Sequence, residues 1–299
     1  MTRALFIINP ISGGKKKERI ASLIGRLLDR GRFDYSIVWT EYAGHAVELA
    51  RDCDASLVVA VGGDGTVSEV ARGIIAAGEK GVRKVLGIIP CGSGDGLALH
   101  LGISRKPRKA IEQLNSSVTA AMDCGTVEGR PFFCTTGVGL DADVADLFAK
   151  SGRRGLITYI TTALRVWRHF VPDTYDITVD GEKFSTPAVF VTAGNANQWG
   201  NQARITPLAS VSDGLLDLSV VLPFRSICIP GLVLKLMTGH ADSSRYMLSL
   251  RGRDILIKRS RPGAAHFDGD PVTLGTDINV RIVPGALQVA VPSEKENRI

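Results

Sequence analysis

A chain of 299 residues has room for two domains of ordinary size, and 44% apolar residues with a mean hydropathy of +0.12 describe a globular protein able to bury sizeable cores. No apolar run approaches the ~20 residues that span a bilayer; the nearest, Ile227–Met237, is broken by Pro230, Gly231 and Lys235, and the N-terminus enters a strand-like run directly, so no signal peptide is expected. A net charge of +6 suits an anionic partner (nucleotide, nucleic acid or acidic lipid surface) without choosing among them, and five cysteines with no CxxC spacing read as free thiols in a reducing cytosol.

Residues 1–122 alternate strand-like and helix-like runs. Ala4–Ile8 precedes an amphipathic run over Arg19–Leu28, Tyr35–Trp39 precedes Gly44–Cys53, Leu57–Val61 precedes Val67–Ala77, and Val85–Ile89 precedes a helix entering near Leu97. The strand cores do not alternate strictly, as expected of strands covered on both faces. Repeated β-α units predict a parallel sheet, with ligands beyond the carboxyl ends of its strands. From residue 123 to about 285 the texture changes to short β-type runs between Gly, Pro and Asp turns: Phe132–Thr136, Tyr175–Val179, Ala188–Ala193, Leu216–Val221, Arg253–Lys258 and Asn279–Val283. This half predicts a mainly antiparallel β-sandwich, interrupted by one helical segment near Leu156–Phe170. The last strand, Leu287–Val291, is a candidate to pack back on the first domain, and the polar tail from Ser293 is expected to fray.

The most informative stretch is Gly62-Gly63-Asp64-Gly65-Thr66, between a strand-like and a helix-like run. Glycines let backbone N–H groups approach phosphoryl oxygens, and the N-terminus of the following helix favours negative charge. Asp64 in that turn suits a magnesium ion or an attacking hydroxyl rather than the phosphates themselves. Taken alone, such a turn also serves as a plain bend. Its company narrows the choice, because all four strands of the first half end in suggestive loops: Asn9–Lys15, Thr40–Ala46, the GGDGT turn and Pro90–Ala98. In a parallel sheet these loops share one edge.

Together these residues resemble the diacylglycerol kinase catalytic family, which also holds the sphingosine and ceramide kinases; NAD kinases belong to its wider superfamily. The resemblance runs through NPISGG (Asn9–Gly14), Thr40 with Gly44-His45-Ala46, GGDGTVSEV (Gly62–Val70) and PCGSGDGLA (Pro90–Ala98). It continues through GVGLDADV (Gly137–Val144), Pro207 with Ser212–Asp217, and HFDGDP (His266–Pro271). It spans nearly the whole chain in the family's order. It implies a Rossmann-like nucleotide-binding domain followed by a lipid-binding sandwich. Two departures stand out. The fourth loop reads Gly92-Ser93-Gly94 where many bacterial members have threonine followed by asparagine, a form closer to sphingosine-kinase-like members. The family's Asp-Gly-Glu is here Asp268-Gly269-Asp270, which shortens the last carboxylate by one methylene.

The resemblance implies transfer of the γ-phosphoryl group of ATP, with Mg2+, to a lipid hydroxyl. Asn9, Thr40, Gly62, Gly63, Asp64, Gly65, Thr66, Glu69, Gly92 and Ser93 would border the nucleotide, although Thr40 and Ser93 also suit ordinary turn or cap chemistry. Asp64 and Asp270 are both candidates for the proton acceptor, and the choice stays open; Asp270 also fits a simple hairpin turn. Asp143, with Asp141 beside it, would lie near the acceptor head group, or the two are solvated turn acids. Arg153 and Arg154 could reach phosphates or be an exposed basic loop. The loop with Ser210, Asp213 and Leu215 resembles a magnesium site made of the Asp213 carboxylate and the carbonyls of residues 210 and 215, the alternative being a metal-free Asp-Gly turn. Ile157, Ile160, Leu164, Trp167 and Val171 form a stripe that packs on its own core or rests on an anionic membrane with Arg165 and Arg168. Lys15-Lys16-Lys17 reads as a solvated helix start, and His45, His100 and His266 are assigned no chemistry.

The expectation is therefore a cytoplasmic lipid kinase, with peripheral contact at the inner face of a membrane left open, acting on diacylglycerol or a related lipid. It has no nucleic-acid partner and has room for a homodimer. The alternatives are a sphingosine- or ceramide-type kinase, an NAD kinase, and an inactive nucleotide- or lipid-binding homologue.

Overall fold

The computed structural model describes residues 1–12, 17–78, 83–150 and 156–293. Gly13, Gly14, Lys15, Lys16, Arg153 and Arg154 lie outside the described residues, as do the side chains of Ile157 and Ile160. The chain forms two compact units, Met1–Met122 with Gly285–Ile299, and Asp123–Pro284. All five cysteines are free thiols. Among the described residues, no helix is long and apolar enough to cross a membrane.

The first unit is built of β1 (Thr2–Ile8), α1 (Lys17–Leu27), β2 (Phe33–Trp39), α2 (His45–Asp52), β3 (Leu57–Gly62), α3 (Asp64–Gly78), β4 (Val85–Pro90), α4 (Gly96–His100) and α5 (Pro107–Asn115). Its strands lie parallel in the order β2-β1-β3-β4. β3 is buried at every residue, which explains why Leu-Val-Val-Ala-Val shows no alternation: both faces of the strand meet apolar neighbours. On one face α2 and α3 pack so closely that a Cβ on Gly73 would stand 2.4 Å from the Val47 carbonyl oxygen. The buried Lys84 ammonium donates to the carbonyls of Ala50, Arg51 and Cys53 at 2.8, 2.8 and 2.6 Å, closing the end of α2 with positive charge.

The chain then continues through β5 (Ser117–Val127), β6 (Arg130–Phe132), β7 (Thr135–Gly139), α6 (Leu140–Lys150), α7 (Leu156–Trp167), β8 (Asp173–Val179), β9 (Glu182–Ala188), β10 (Phe190–Gly194), β11 (Leu216–Val221), α8 (Ile229–Thr238), β12 (Met247–Gly252), β13 (Asp254–Lys258), β14 (Gly263–Phe267), β15 (Asp270–Leu274) and β16 (Asp277–Pro292). The second unit is a sandwich of two antiparallel layers. One layer runs from the start of β16 through β13 and β8 to β9, and the other is ordered β12-β11-β10-β7-β14-β15. Tyr175, Ile177 and Val179 from one layer meet Val138, Val191, Leu218 and Phe267 from the other in a shared core, at alternate positions along each strand. The end of β16 belongs to the first unit, where Gln288 and Val289 pair in parallel with Val85 and Leu86 of β4.

The structure differs from the sequence expectation in several places, three of which bear on the site or its surroundings. Asp141 and Asp143 occupy the first turn of a helix, α6, rather than a turn between strands. The apolar run 227–237, read as interrupted by Pro230 and Gly231, is helical from Ile229, because proline in the first turn loses no hydrogen bond that a helix would make. The two strand segments expected at 279–283 and 287–291 are one long strand, β16.

Candidate active site

Because β1 to β4 are parallel, the loops that follow them lie at one sheet edge. The third and fourth are locked together by Asp64. Its Oδ2 accepts the Asp95 N–H at 2.8 Å and its Oδ1 the Gly96 N–H at 2.7 Å, so the acid opening α3 caps the start of α4. Asp95 in turn takes the Gly92 N–H at 2.8 Å on Oδ1 and ion-pairs through Oδ2 with Arg105 Nε at 3.2 Å. Arg105 also donates to the Ser93 carbonyl at 2.9 Å. Asp95 adopts φ +54°, a left-handed conformation that aspartate tolerates better than most residues. Backbone meets backbone here: a Cβ on Gly92 would lie 2.6 Å from the Gly63 Cα. Glycine at both positions is what lets the loops touch.

The remaining residues of this edge are positioned around that lock. Asn9 donates from Nδ2 to the buried Thr66 Oγ1 at 3.1 Å, and its Oδ1 holds the Ile11 N–H at 3.0 Å. Gly62 lies under Thr66, where a Cβ would stand 2.4 Å from Oγ1. Thr40 is buried at the end of β2, its N–H on the Ile8 carbonyl. Glu69, one turn into α3, accepts the Gly44 N–H at 3.0 Å and so fixes the second loop. Gly65 has open space where a Cβ would be, and Ser93 is exposed. Thus Asp64, Glu69 and Asn9 brace the edge, while Gly65 at the start of α3 is exposed beside them.

In the second unit the DGD run is a hairpin turn between β14 and β15. Asp268 (φ +51°) and Gly269 (φ +88°) both adopt left-handed backbone, the type I′ arrangement that suits Asp-Gly. The Asp268 carboxylate turns inward and accepts the N–H groups of Phe133, Cys134 and Thr135, the shortest at 2.6 Å. Burial pushes its pKa up, and these three donors pull it back only in part. Asp270 follows the turn at the first residue of β15 and is exposed.

Asp141 and Asp143 separate into different roles. Gly137, Thr192 and His266 form one cross-strand row on the outer face of the sheet. The missing side chain of Gly137 leaves a hole there. The Asp141 carboxylate fills it, 2.7 Å from Thr192 Oγ1 and 3.2 Å from His266 Nε2, while its Oδ1 caps the Ala142 N–H at 2.8 Å. A Cβ at residue 137 would stand 2.3 Å from Asp141 Oδ2. Asp141 is therefore buried and locked. Asp143 is exposed on the same first turn, and its pKa is raised by partial burial and by the charges of Asp141 and Asp146, against the pull of Arg259 and Arg261.

The loop expected to hold a metal is organised by Arg251. Its guanidinium ion-pairs with Asp213 and, at 3.3 Å, with Asp217, while Asp213 Oδ1 takes the Leu215 N–H at 3.1 Å. Ser210 Oγ accepts the Ser212 N–H at 3.4 Å, and the Gly214 N–H goes to Asp123 Oδ2 at 2.7 Å. Burial holds the Asp217 carboxyl up, at about 6, against the arginine. Among the described residues no group of three or more His, Cys, Asp or Glu side chains is placed to share a metal ion. A magnesium ion on Asp213 would have to displace a guanidinium that already matches its charge, so the donor set as arranged does not fit one.

Sequence reasoning gave no role to Asp95, Arg105, Asp268, Arg251 or the Thr192–His266 pair. Two of these carried a readable signal, since Asp95-Gly96 and Asp268-Gly269 are both Asp-Gly steps that mark left-handed turns.

Comparison with known proteins places this geometry. The family model described as the diacylglycerol kinase catalytic domain matches residues 3–127, and that described as the YegS C-terminal NAD kinase beta sandwich-like domain matches residues 134–291. The chain is 24% identical to the diacylglycerol kinase of Bacillus subtilis over 276 residues, covering 90% of each chain. It is 25% identical over 291 residues to a Chromohalobacter salexigens protein named probable lipid kinase YegS-like, covering 94% of this chain and 92% of that one. Among solved structures, a diacylglycerol kinase of Bacillus anthracis superposes with a TM-score of 0.75 at 18% identity over 98% of both chains. Another structure from that organism reaches a TM-score of 0.81 at 22% identity, also over 98% of both.

Proposed function

The chain belongs to the diacylglycerol kinase family of lipid kinases, and from that premise we propose that it transfers the γ-phosphoryl group of Mg·ATP to a lipid hydroxyl, with diacylglycerol as the first acceptor to test. The observation that carries this reading is the Asp64 lock. It sets two glycine loops and the N-terminus of a 15-residue helix at one sheet edge, where backbone N–H groups and the helix dipole suit phosphate. Magnesium arrives with ATP as part of the substrate and offsets charge on the transferring group.

In the step itself the lipid oxygen bonds to the γ-phosphorus, the bond from that phosphorus to the β-γ bridging oxygen breaks, and ADP leaves. The hydroxyl proton goes to a carboxylate. Both oxygens of Asp64 already hold N–H groups, which makes Asp64 a positioning residue. Asp270, exposed beside a turn anchored by Asp268, takes the acceptor role. Asp143 lies on the exposed side of α6 and meets the acceptor head group; Asp141 below it fixes the helix. The acidic surroundings of Asp143 also favour a second reading, a sphingoid base whose amine would pair with it.

The test is transfer of labelled γ-phosphate from Mg·ATP to a mixed-micelle panel of diacylglycerol, monoacylglycerol, sphingosine and ceramide, with soluble NAD alongside. Label in an extractable lipid, absent with Asp270→Asn and restored by Asp270→Glu, supports the proposal and names the acceptor. Label only in NADP, or in nothing, overturns it. Wild-type rates in Asp270→Asn with loss only in Asp64→Asn would exchange the two roles.

A further inference from the structure

Helix α8 packs Leu236 against the apolar cluster that holds Phe190, Val221 and Met247, and leaves its other face uncovered by the described protein. None of its ten residues is buried, although eight of them are Ile, Pro, Gly, Leu, Val or Met. Leu234 is 64% exposed, and Ile227, in the turn leading into the helix, 84%. Val233 and Met237 are exposed as well. Isolated exposed apolar residues need no explanation, but a contiguous group of this kind marks a surface that meets something.

The neighbouring elements extend this surface. Trp167, at the end of α7, stacks on Phe224 at 4.7 Å between ring centres and donates its indole N–H to Ser226 Oγ at 3.0 Å. Phe224 meets Tyr246 at 5.9 Å. These rings tie the end of α7 to the lead-in of α8, and both sides carry further exposed apolar residues, Leu164 and Val171 among them. The charge is one-sided. Residues 161–171 and 222–246 hold Arg165, Arg168, Arg225, Lys235 and Arg245 against a single acid, Asp242. The four arginines are exposed.

We infer that this face docks on an anionic lipid bilayer, with Ile227 and the exposed leucine and methionine of α8 entering the acyl boundary and the arginines at headgroup phosphates. The arrangement has the parts of an interfacial anchor: a short apolar helix, a basic rim, and Trp and Tyr rings at its border. Charge selects the bilayer over a second copy of the chain, since a two-fold contact would bring the same cations face to face. The inference rests on the lipid-kinase reading only for its purpose, that of bringing the enzyme to an insoluble acceptor; binding itself needs no nucleotide and no turnover.

The test is co-sedimentation of the full chain with vesicles of phosphatidylcholine alone and of phosphatidylcholine with phosphatidylglycerol, without ATP. Wild type should bind the anionic vesicles, release them as salt rises, and bind the neutral ones poorly. Ile227→Ser with Leu234→Ser should weaken binding at least ten-fold, and each of Arg225→Ala and Arg245→Ala roughly five-fold. The substituted side chains are exposed, so thermal unfolding should not change. Equal partitioning of wild type and the serine variant would overturn the inference. So would a concentration-dependent dimer that the serine variant abolishes, which would give the face to a second copy. If no acceptor is ever phosphorylated but vesicle binding behaves as stated, the kinase reading fails and this one stands.

Discussion

The glycine turn after β3 and the hairpin between β14 and β15 use the same pair of residues, Asp beside Gly, in opposite ways. At the first, Asp64 reaches to another loop and holds the N–H groups of Asp95 and Gly96. At the second, Asp268 folds back on its own sheet and holds Phe133, Cys134 and Thr135, leaving the next acid, Asp270, at the surface. The difference teaches that the central acid of such a motif is an architectural carboxylate when backbone donors surround it. In the proposed reaction the chemistry then falls to what it positions: helix α3 and two glycines in one unit, Asp270 in the other.

The largest effect expected is at Asp268. Replacing it with alanine leaves three backbone donors without their acceptor and should lower stability by roughly 3 kcal/mol or more, read by urea unfolding. Asp270→Ala, two residues on, should stay within about 0.5 kcal/mol while transfer falls by about 10²–10⁴. Equal losses of stability at the two positions would erase the distinction between an architectural and a chemical acid.

The two glycine loops offer the next contrast. Gly92→Ala forces a methyl to within 2.6 Å of the Gly63 Cα and 2.8 Å of Asp95 Oδ1, neither of which can yield without breaking the lock. Such overpacking costs about 1–3 kcal/mol. Gly65→Ala meets nothing within 4 Å and sits in the first turn of α3, so it should leave stability unchanged or raised by up to about 1 kcal/mol. Thermal unfolding of the two variants side by side checks this. If Gly65→Ala nevertheless abolishes nucleotide binding, the space over residue 65 is where phosphate sits.

A third Asp-Gly turn, at residues 213–214, sets a guanidinium on one carboxylate oxygen and a backbone N–H on the other, and pH distinguishes it. The Asp217 carboxyl is raised from the ordinary 3.8 to about 6 in the folded protein. Between those values the folded state binds the extra proton, so stability should fall as pH rises from about 4 to 6 and level off above. Asp217→Asn should flatten that slope, by on the order of 3 kcal/mol across the window. Arg251→Met should steepen it, because the arginine now pulls the carboxyl down. Denaturant unfolding at pH 4, 5, 6 and 7 reads both.

How much of this could be read beforehand follows from what sequence encodes locally. The parallel half was legible, because a strand buried on both faces and a glycine turn before a helix are patterns of consecutive residues. The sandwich was legible from its alternating runs. α6 was hidden by the glycines just before it, Gly137 and Gly139, and α8 by Pro230 and Gly231, residues that break a helix in its interior but not at its first turn. The partners of each carboxylate were not legible at all: Asp64 and Asp95 are 31 positions apart, Asp268 and Cys134 are 134 apart, and Asp213 and Arg251 are 38 apart. Motif reading ranked Asp141 beside Asp143 as substrate residues; only the hole left by Gly137 between Thr192 and His266 shows that one is anchored below the surface and the other stands on it.

The smallest effect expected is the response to metal, and it decides what Arg251 is for. A structural magnesium ion present at 100 times its dissociation constant would add about 2.7 kcal/mol, or roughly 5–10 °C in Tm for a unit of this size. Here the Asp213 carboxylate already faces a guanidinium on one oxygen and an N–H on the other. Wild-type Tm should therefore be the same in excess magnesium chloride and in EDTA. Arg251→Met removes the resident cation and leaves Asp213 and Asp217 facing each other across the loop. That variant should be less stable in EDTA and recover part of the loss when magnesium is added. A rise of several degrees in the wild type would mean that the arginine yields to the ion, and that the charge at this turn is held by metal as the resemblance implies.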